Sequence, residues 1–157
     1  MPGYLVDGML GKLCRWMRVL GVDAGFLHTT DDDELIQRAL QENRELVTRD
    51  RLLVKRKSIR DRAILIESDK WPDQLVEFIQ KSGYTLDLQP MCRCLRCNGR
   101  LEKTEPLAIA DLVPPYIFQT HSDFSRCQGC GRIYWPGTHV QRIRATLAEI
   151  GVIPPPE

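Results

Sequence analysis

The chain has 157 residues with 43% hydrophobic content, enough for one ordinary domain with a small appended module. Its formal net charge of +1 neither demands nor excludes a nucleic-acid partner. No stretch reaches the apolar length of a membrane span, and the first twenty residues carry Asp7, Lys12, Arg15 and Arg18 instead of a secretory pattern, so a cytoplasmic protein is expected. From the N-terminus, Tyr4-Leu5-Val6 reads as a short strand ending at Asp7-Gly8. Leu10, Leu13, Cys14, Met17 and Leu20 then recur at helical spacing until Gly21. Ala24–Leu27 reads as a second strand, followed by Thr30, Asp31 and Asp32 as N-cap candidates for a helix burying Leu35, Ile36, Ala39 and Leu40. Glu45–Thr48 is a third strand, and Asp50 can cap a short basic helix after it. Ala63–Ile66 is a fourth, and Pro72 fits the first turn of a helix with Leu75, Val76 and Ile79, closed by Gly83.

Strand–helix alternation with short connections predicts an α/β domain, a parallel sheet flanked by helices. Ligands of such sheets bind beyond the strand carboxyl ends. Asp7, Asp50 and Asp69 (or Glu67) fall at strand ends, and Asp31–Glu34 lies between a strand and its helix. Four acidic positions are thus expected on one edge. Carboxylates gathered there repel unless protonated or bridged by a cation, which points to a hard divalent ion such as Mg²⁺ or Mn²⁺. Such an ion activates water and stabilises charge on phosphoryl oxygens. The plainer alternative is that Asp31, Asp32 and Asp50 are N-caps, Glu34 a first-turn charge, and Asp69 one of several acids beside Glu67 and Asp73. Asp7 has no capping duty to explain it. Between Arg49 and Arg62 lie seven basic residues against Asp50 and Asp61, a run of the kind that holds phosphates or simply faces solvent.

From about Pro90 the composition changes. Cys94/Cys97 and Cys127/Cys130 form two Cys-x-x-Cys pairs, each followed by a turn residue, Asn98-Gly99 and Gly131. Each pair offers two thiolates from one turn, and two pairs complete the tetrahedral four-sulfur shell of structural zinc. Disulfides or free core thiols are the alternative, but nothing marks a secreted protein. Cys92 precedes the first pair out of register and is either a bystander or a substitute for Cys94; Cys14 reads as core. Pro114-Pro115 breaks regularity, and Val140, Ile143, Leu147 and Ile150 resume helical spacing. His28, His121 and His139 form no catalytic pattern.

The run from Leu5 to Arg18, Leu46-Val47-Thr48-Arg49-Asp50, both cysteine pairs and Tyr134–His139 together resemble the Mut-seven C-terminal RNase family across essentially the whole chain. Cys14 departs from the alanine usual there. The resemblance implies a PIN-like ribonuclease domain over residues 1–89 and a zinc ribbon with a C-terminal helix over 90–157. It also implies an acidic Mg²⁺ or Mn²⁺ site that cuts single-stranded or structured RNA. By motif position Asp7 and Asp50 carry over, the middle acid falls on Asp32 or Glu34, and Asp69 is a fourth candidate. A structural zinc would be held by Cys94, Cys97, Cys127 and Cys130. Lys12, Arg15, Arg49, Arg51, Lys55 and Arg56 are candidates for holding RNA phosphates. The RNA itself is left open among tRNA, rRNA and other structured RNA. In the ribbon, Arg93, Arg96, Arg126 and Arg132 are candidates for further backbone contacts, with Tyr134 or Trp135 for stacking on a base or, for Trp135, for packing. Two rival expectations stand beside this one: a non-catalytic RNA- or ribosome-binding module whose acids are caps, and a toxin-like nuclease held by a partner protein.

Overall fold

The computed structural model describes residues 3–86, 92–155 and 157, so the expected boundary at residues 89 and 90 lies outside the described residues. The chain divides into two compact units, Met1–Met91 and Cys92–Glu157.

The first unit is a four-stranded sheet of β1 (Gly3–Asp7), β2 (Ala24–Leu27), β3 (Arg44–Thr48) and β4 (Ala63–Leu65), in spatial order β2-β1-β3-β4 with every pair parallel. Parallel strands need crossovers, and α1 (Gly11–Val19), α2 (Asp32–Gln41) and α3 (Trp71–Ser82) lie in or after those connections. Covering both faces lets the central strands be apolar throughout: Leu5, Val6, Leu46 and Val47 are all buried. Alternation along β1 sends Tyr4 and Leu5 to opposite faces. Leu5 joins Leu46, Leu35, Ile36 and Ala39 in the α2 layer, while the Tyr4 ring meets Phe78 of α3 edge-on at 4.9 Å. On that second face Trp16 of α1 stacks flat on Trp71 of α3, ring centroids 4.4 Å apart. α2 is capped by Asp31, whose carboxylate accepts from the N–H groups of Asp33 (2.9 Å) and Glu34 (3.3 Å). α3 has Pro72 in its first turn and ends on Gly83 in the left-handed conformation, as its sequence predicts.

One element of this unit differs from expectation. The basic stretch after Asp50 is not a single helix but two 3-10 turns, Leu53–Lys55 and Arg60–Arg62. Its buried residues, Leu53 and Ile59, are six positions apart, a spacing that an α-helix cannot place on one face, so the chain turns to bury both.

The second unit holds an antiparallel sheet of β5 (Leu101–Thr104), β6 (Phe124–Cys127) and β7 (Ile133–Tyr134), in that order. Between β5 and β6 run a 3-10 segment, Pro106–Leu112, and α4 (Pro115–Thr120). The proline pair expected to break regularity instead opens α4, because a first-turn proline has no N–H that a helix would need. Phe124 packs with Ile109, Val113 and, at the edge, Ile117, Ile133 and Trp135. Trp135 thereby takes the packing role, its ring 6.5 Å from that of Phe124. α5 (Thr138–Glu149) follows, burying Leu147. Among the described residues no helix is long and apolar enough to cross a membrane.

Candidate active site and metal centre

In a sheet of order β2-β1-β3-β4 the connections leave β1 in one direction first and in the other afterwards. The crevice beyond the carboxyl ends of β1 and β3 is therefore the position where such sheets bind ligands. Asp7 is the last residue of β1 and Thr48 the last of β3; the register Val6↔Val47 sets them side by side. Thr48 is fully buried, and its Oγ1 donates to Asp7 Oδ2 at 2.8 Å while accepting from the Asp50 N–H at 3.1 Å. A hydroxyl has one proton and two lone pairs, so it can serve both at once. Asp50 Oδ1 in turn accepts from the N–H groups of Leu52 (2.9 Å) and Leu53 (3.1 Å). Asp7 and Asp50 are thus tied into one hydrogen-bonded unit. Asp50 caps the turn, as its plainer reading predicts, and is joined to Asp7 as well.

The remaining acids have other partners. Asp32 lies 3.6 Å from an Arg56 nitrogen, and the same guanidinium pairs with Asp33. Glu34 accepts from the Thr29 hydroxyl at 2.9 Å. Asp69 is paired with Arg49 at 2.6 Å, and Glu67 with Arg51 at 3.5 Å. Among the described residues, no group of three or more acids comes within shared ligating reach; the four cysteines do. The basic candidates are distributed accordingly: Arg49, Arg51 and Arg56 sit in ion pairs, Arg15 and Lys55 are exposed, and Lys12 lies 5.8 Å over the Trp71 ring. Exposed ion pairs of this kind are each worth about 0–1 kcal/mol, so a phosphate can displace them.

Three residues near the strand ends carry no role in the sequence reading. Thr48 is one: it stands in the family motif, and the signal for its bridging role is a hydroxyl closing an apolar strand two residues before an acid. His28 is another: it stands so close to Gly8 that a Cβ there would meet its Nδ1 at 2.6 Å, which explains the glycine after Asp7. Glu77 of α3 is the third. Its carboxylate accepts from the N–H groups of Glu67 (2.9 Å) and Ser68 (3.0 Å), the Ser68 hydroxyl (2.8 Å) and Lys81 (2.8 Å). Burial works against its charge, but Lys81 and those donors outweigh it and bring Glu77 down to about 2. The loop carrying Asp69 is anchored by that carboxylate.

In the second unit, Cys94, Cys97, Cys127 and Cys130 bring their sulfurs within 4.8 Å of one another. Cys94 and Cys130 are 3.7 Å apart and Cys97 and Cys127 3.3 Å, against about 3.8 Å for a tetrahedron with Zn–S bonds of about 2.3 Å. Each pair is closed by a residue in the left-handed region, Asn98 (φ 70°) and Gly131 (φ 78°). A Cβ on Gly99 would lie 2.7 Å from Cys127 Sγ, so only glycine fits against the sulfurs. N–H groups of Gly99 and Gly129 point at Cys97 and Cys127. The Tyr134 hydroxyl lies 3.0 Å from Cys94 Sγ. Burial opposes ionisation of Cys94, yet Tyr134 and the N–H groups of Cys97 and Arg96 bring its thiol down to about 6. Burial and that thiolate push Tyr134 up to about 12, so it remains a donor. The donors, the cradle and the sulfur spacing all suit a zinc ion. Cys92 stays outside the group, Cys14 is buried with its thiol pushed up to about 11, first by burial, and His121 bonds Thr120 beside it.

A parallel α/β unit is followed by an antiparallel unit whose four cysteines could hold a zinc ion. The chain belongs to the Mut7-C RNAse domain family, whose model matches residues 2–147. This makes it a ribonuclease-type protein with RNA as its substrate class. The comparisons with curated proteins and with solved structures each found no match.

Proposed function

We propose that the chain is a cytoplasmic, PIN-like endoribonuclease that hydrolyses RNA phosphodiester bonds at Asp7 and Asp50 with Mg²⁺ or Mn²⁺, its structural zinc unit adding RNA contacts. The observation that carries this reading is the Thr48 hydroxyl joining the Asp7 carboxylate to the Asp50 backbone at the β1/β3 switch point. Fixing Asp7 through Oδ2 leaves Oδ1 as an oxygen ligand of the kind hard cations take. Asp7 and Asp50 would hold that ion; when bound it would lower the pKa of water and neutralise charge on a phosphoryl oxygen. Asp32 or Glu34, released from Arg56 or Thr29, would orient the attacking water and accept its proton. The water oxygen forms the new P–O bond as the bond to the leaving ribose oxygen breaks, and that oxygen takes up a proton from solvent. Arg49, Arg51, Lys55 and Arg56 would exchange carboxylate partners or solvent for flanking phosphates, with Lys12 and Arg15 of α1 adding to them. The zinc unit's Arg93, Arg96, Arg126 and Arg132 would add backbone contacts.

The test is RNA cleavage with Mn²⁺, with Mg²⁺ and with a chelator, for the wild type, Asp7→Asn and Asp50→Asn. Cleavage that needs a divalent ion and disappears in both variants is expected. A second reading, a non-catalytic RNA-binding module, is favoured by the engagement of Asp31 as a cap and of Asp32, Asp33 and Asp69 in ion pairs. RNA that binds but is never cut, equally with all three proteins, would select it.

A further inference from the structure

Two turns of the first unit repeat one pattern. β1 ends in Asp7 and continues Gly8-Met9-Leu10; β3 is followed by Asp50 and continues Arg51-Leu52-Leu53. In each turn an acid comes first, a large apolar side chain in solvent comes third, and a buried leucine comes fourth. Met9 is 74% and Leu52 76% exposed, while Leu10 and Leu53 are both at 1%. The two exposed side chains stand on ordered backbone. Gly8–Leu10 is a 3-10 turn locked by Leu10, and Leu52 is held by the Asp50 carboxylate on its own N–H and by buried Leu53 beside it. Among the described residues of this unit the next most exposed large hydrophobics, Phe26 and Leu40, reach only 40%. A single exposed leucine needs no explanation. Two such residues, one two positions beyond the acid that ends β1 and the other two positions beyond the acid that follows β3, its parallel neighbour, call for one.

We infer that Met9 and Leu52 are base-contacting residues that receive the faces of unpaired nucleobases on either side of the scissile phosphate. The inference rests on the ribonuclease reading of Asp7 and Asp50 and adds the form of RNA that the site accepts. A phosphate held at those acids places its two nucleosides within one nucleotide of the crevice, where the outward side chains begin. In a duplex the base faces are hidden by stacking, so only unpaired bases can meet an apolar side chain face-on. Every base has such a face, so these contacts favour unpaired RNA without selecting a sequence. Arg51 and Lys55, exposed on the same segment as Leu52, match the charge of the adjoining backbone. Two isolated side chains are far too small a surface for a protein partner, which needs about 800 Å² per side.

The experiment compares an unpaired oligoribonucleotide of mapped cleavage position with the same strand carrying abasic nucleotides on both sides of that position. Met9→Ser and Leu52→Ser should each lower kcat/KM about fivefold on the intact strand, mainly through KM, and leave the abasic strand unaffected. Met9→Leu and Leu52→Met should retain the wild-type value, and thermal midpoints should not move for any of the four variants. Wild-type kcat/KM in both serine variants, or equal losses on both strands, would overturn the inference while leaving the nuclease intact. Absence of divalent-dependent cleavage by the wild type, with Asp7→Asn indistinguishable from it, would instead remove the ribonuclease reading and this inference with it.

Discussion

The strand-end acids and the four cysteines are both sets of candidate ligands, and they are organised in opposite ways. The cysteines converge on each other: four sulfurs share one point, backbone N–H groups face them, and glycine stands where a side chain would intrude. The acids diverge. Asp7 and Asp50 are tied together through Thr48, while Asp32, Glu34 and Asp69 each hold a neighbour's hydroxyl or guanidinium. A closed site of soft ligands keeps its ion and closes a fold. An open site of hard ligands has to exchange partners each time a substrate arrives, and ion pairs at the surface are cheap to exchange.

The largest expected difference between the regions is in metal dependence of folding. Zinc removal, or Cys127→Ser, should unfold the second unit, since structural zinc contributes about 10–16 kcal/mol of apparent binding energy. The first unit, which has its own core, should keep its cooperative melt and its Trp16–Trp71 stacking signal in near-ultraviolet circular dichroism. Simultaneous loss of both would erase the distinction.

Asp7→Asn should leave the melt unchanged within about 1 kcal/mol and reduce RNA cleavage by about a hundredfold or more. Wild-type cleavage in this variant would move the chemistry away from the sheet. Thr48→Val keeps the volume but removes the hydroxyl from Asp7 and Asp50. It should cost about 2 kcal/mol of stability and about tenfold in cleavage, both restored by Thr48→Ser. A silent Thr48→Val would leave the two acids independent.

Acid sensitivity sharpens the comparison further. Glu77 falls to about 2 in the folded chain from its ordinary 4.5. The unfolded state binds its proton first, so this group's stabilisation is complete above about 4.5 and is lost as pH falls towards 2. Glu77→Gln should therefore lower stability at neutral pH by about 2 kcal/mol and flatten the acid limb of the first unit's melt. An unchanged limb in a pH series of thermal melts would take the anchoring role from Glu77. The smallest effect is expected at Asp31→Ala, about 1 kcal/mol of stability from the lost N-cap with cleavage intact.

Motifs with short-range geometry are legible in the amino-acid order itself. Two residues between cysteines dictate a shared turn, Pro72 and Gly83 mark the ends of α3, and periodic apolar residues give α1, α2 and α3 with the strands between them. The α/β class and the four-sulfur site follow from such local rules. The 3-10 turns of the basic segment are not legible in this way, because Leu53 and Ile59 answer to a core that 3.6-residue periodicity does not describe. Nor is α4, where a proline pair reads equally as a break or a helix start.

Residue type and spacing alone mark Cys94, Cys97, Cys127 and Cys130 as candidate ligands, and motif position marks Asp7 and Asp50. Which acids stand together is settled only by the folded chain. Asp7 and Thr48 are forty-one residues apart in the chain and 2.8 Å apart in the fold. They meet because parallel strands β1 and β3 pair in register while β2, between them in sequence, lies on the other side of β1. That strand order is a property of how the helices cover both faces of the sheet, and no local pattern in the chain encodes it.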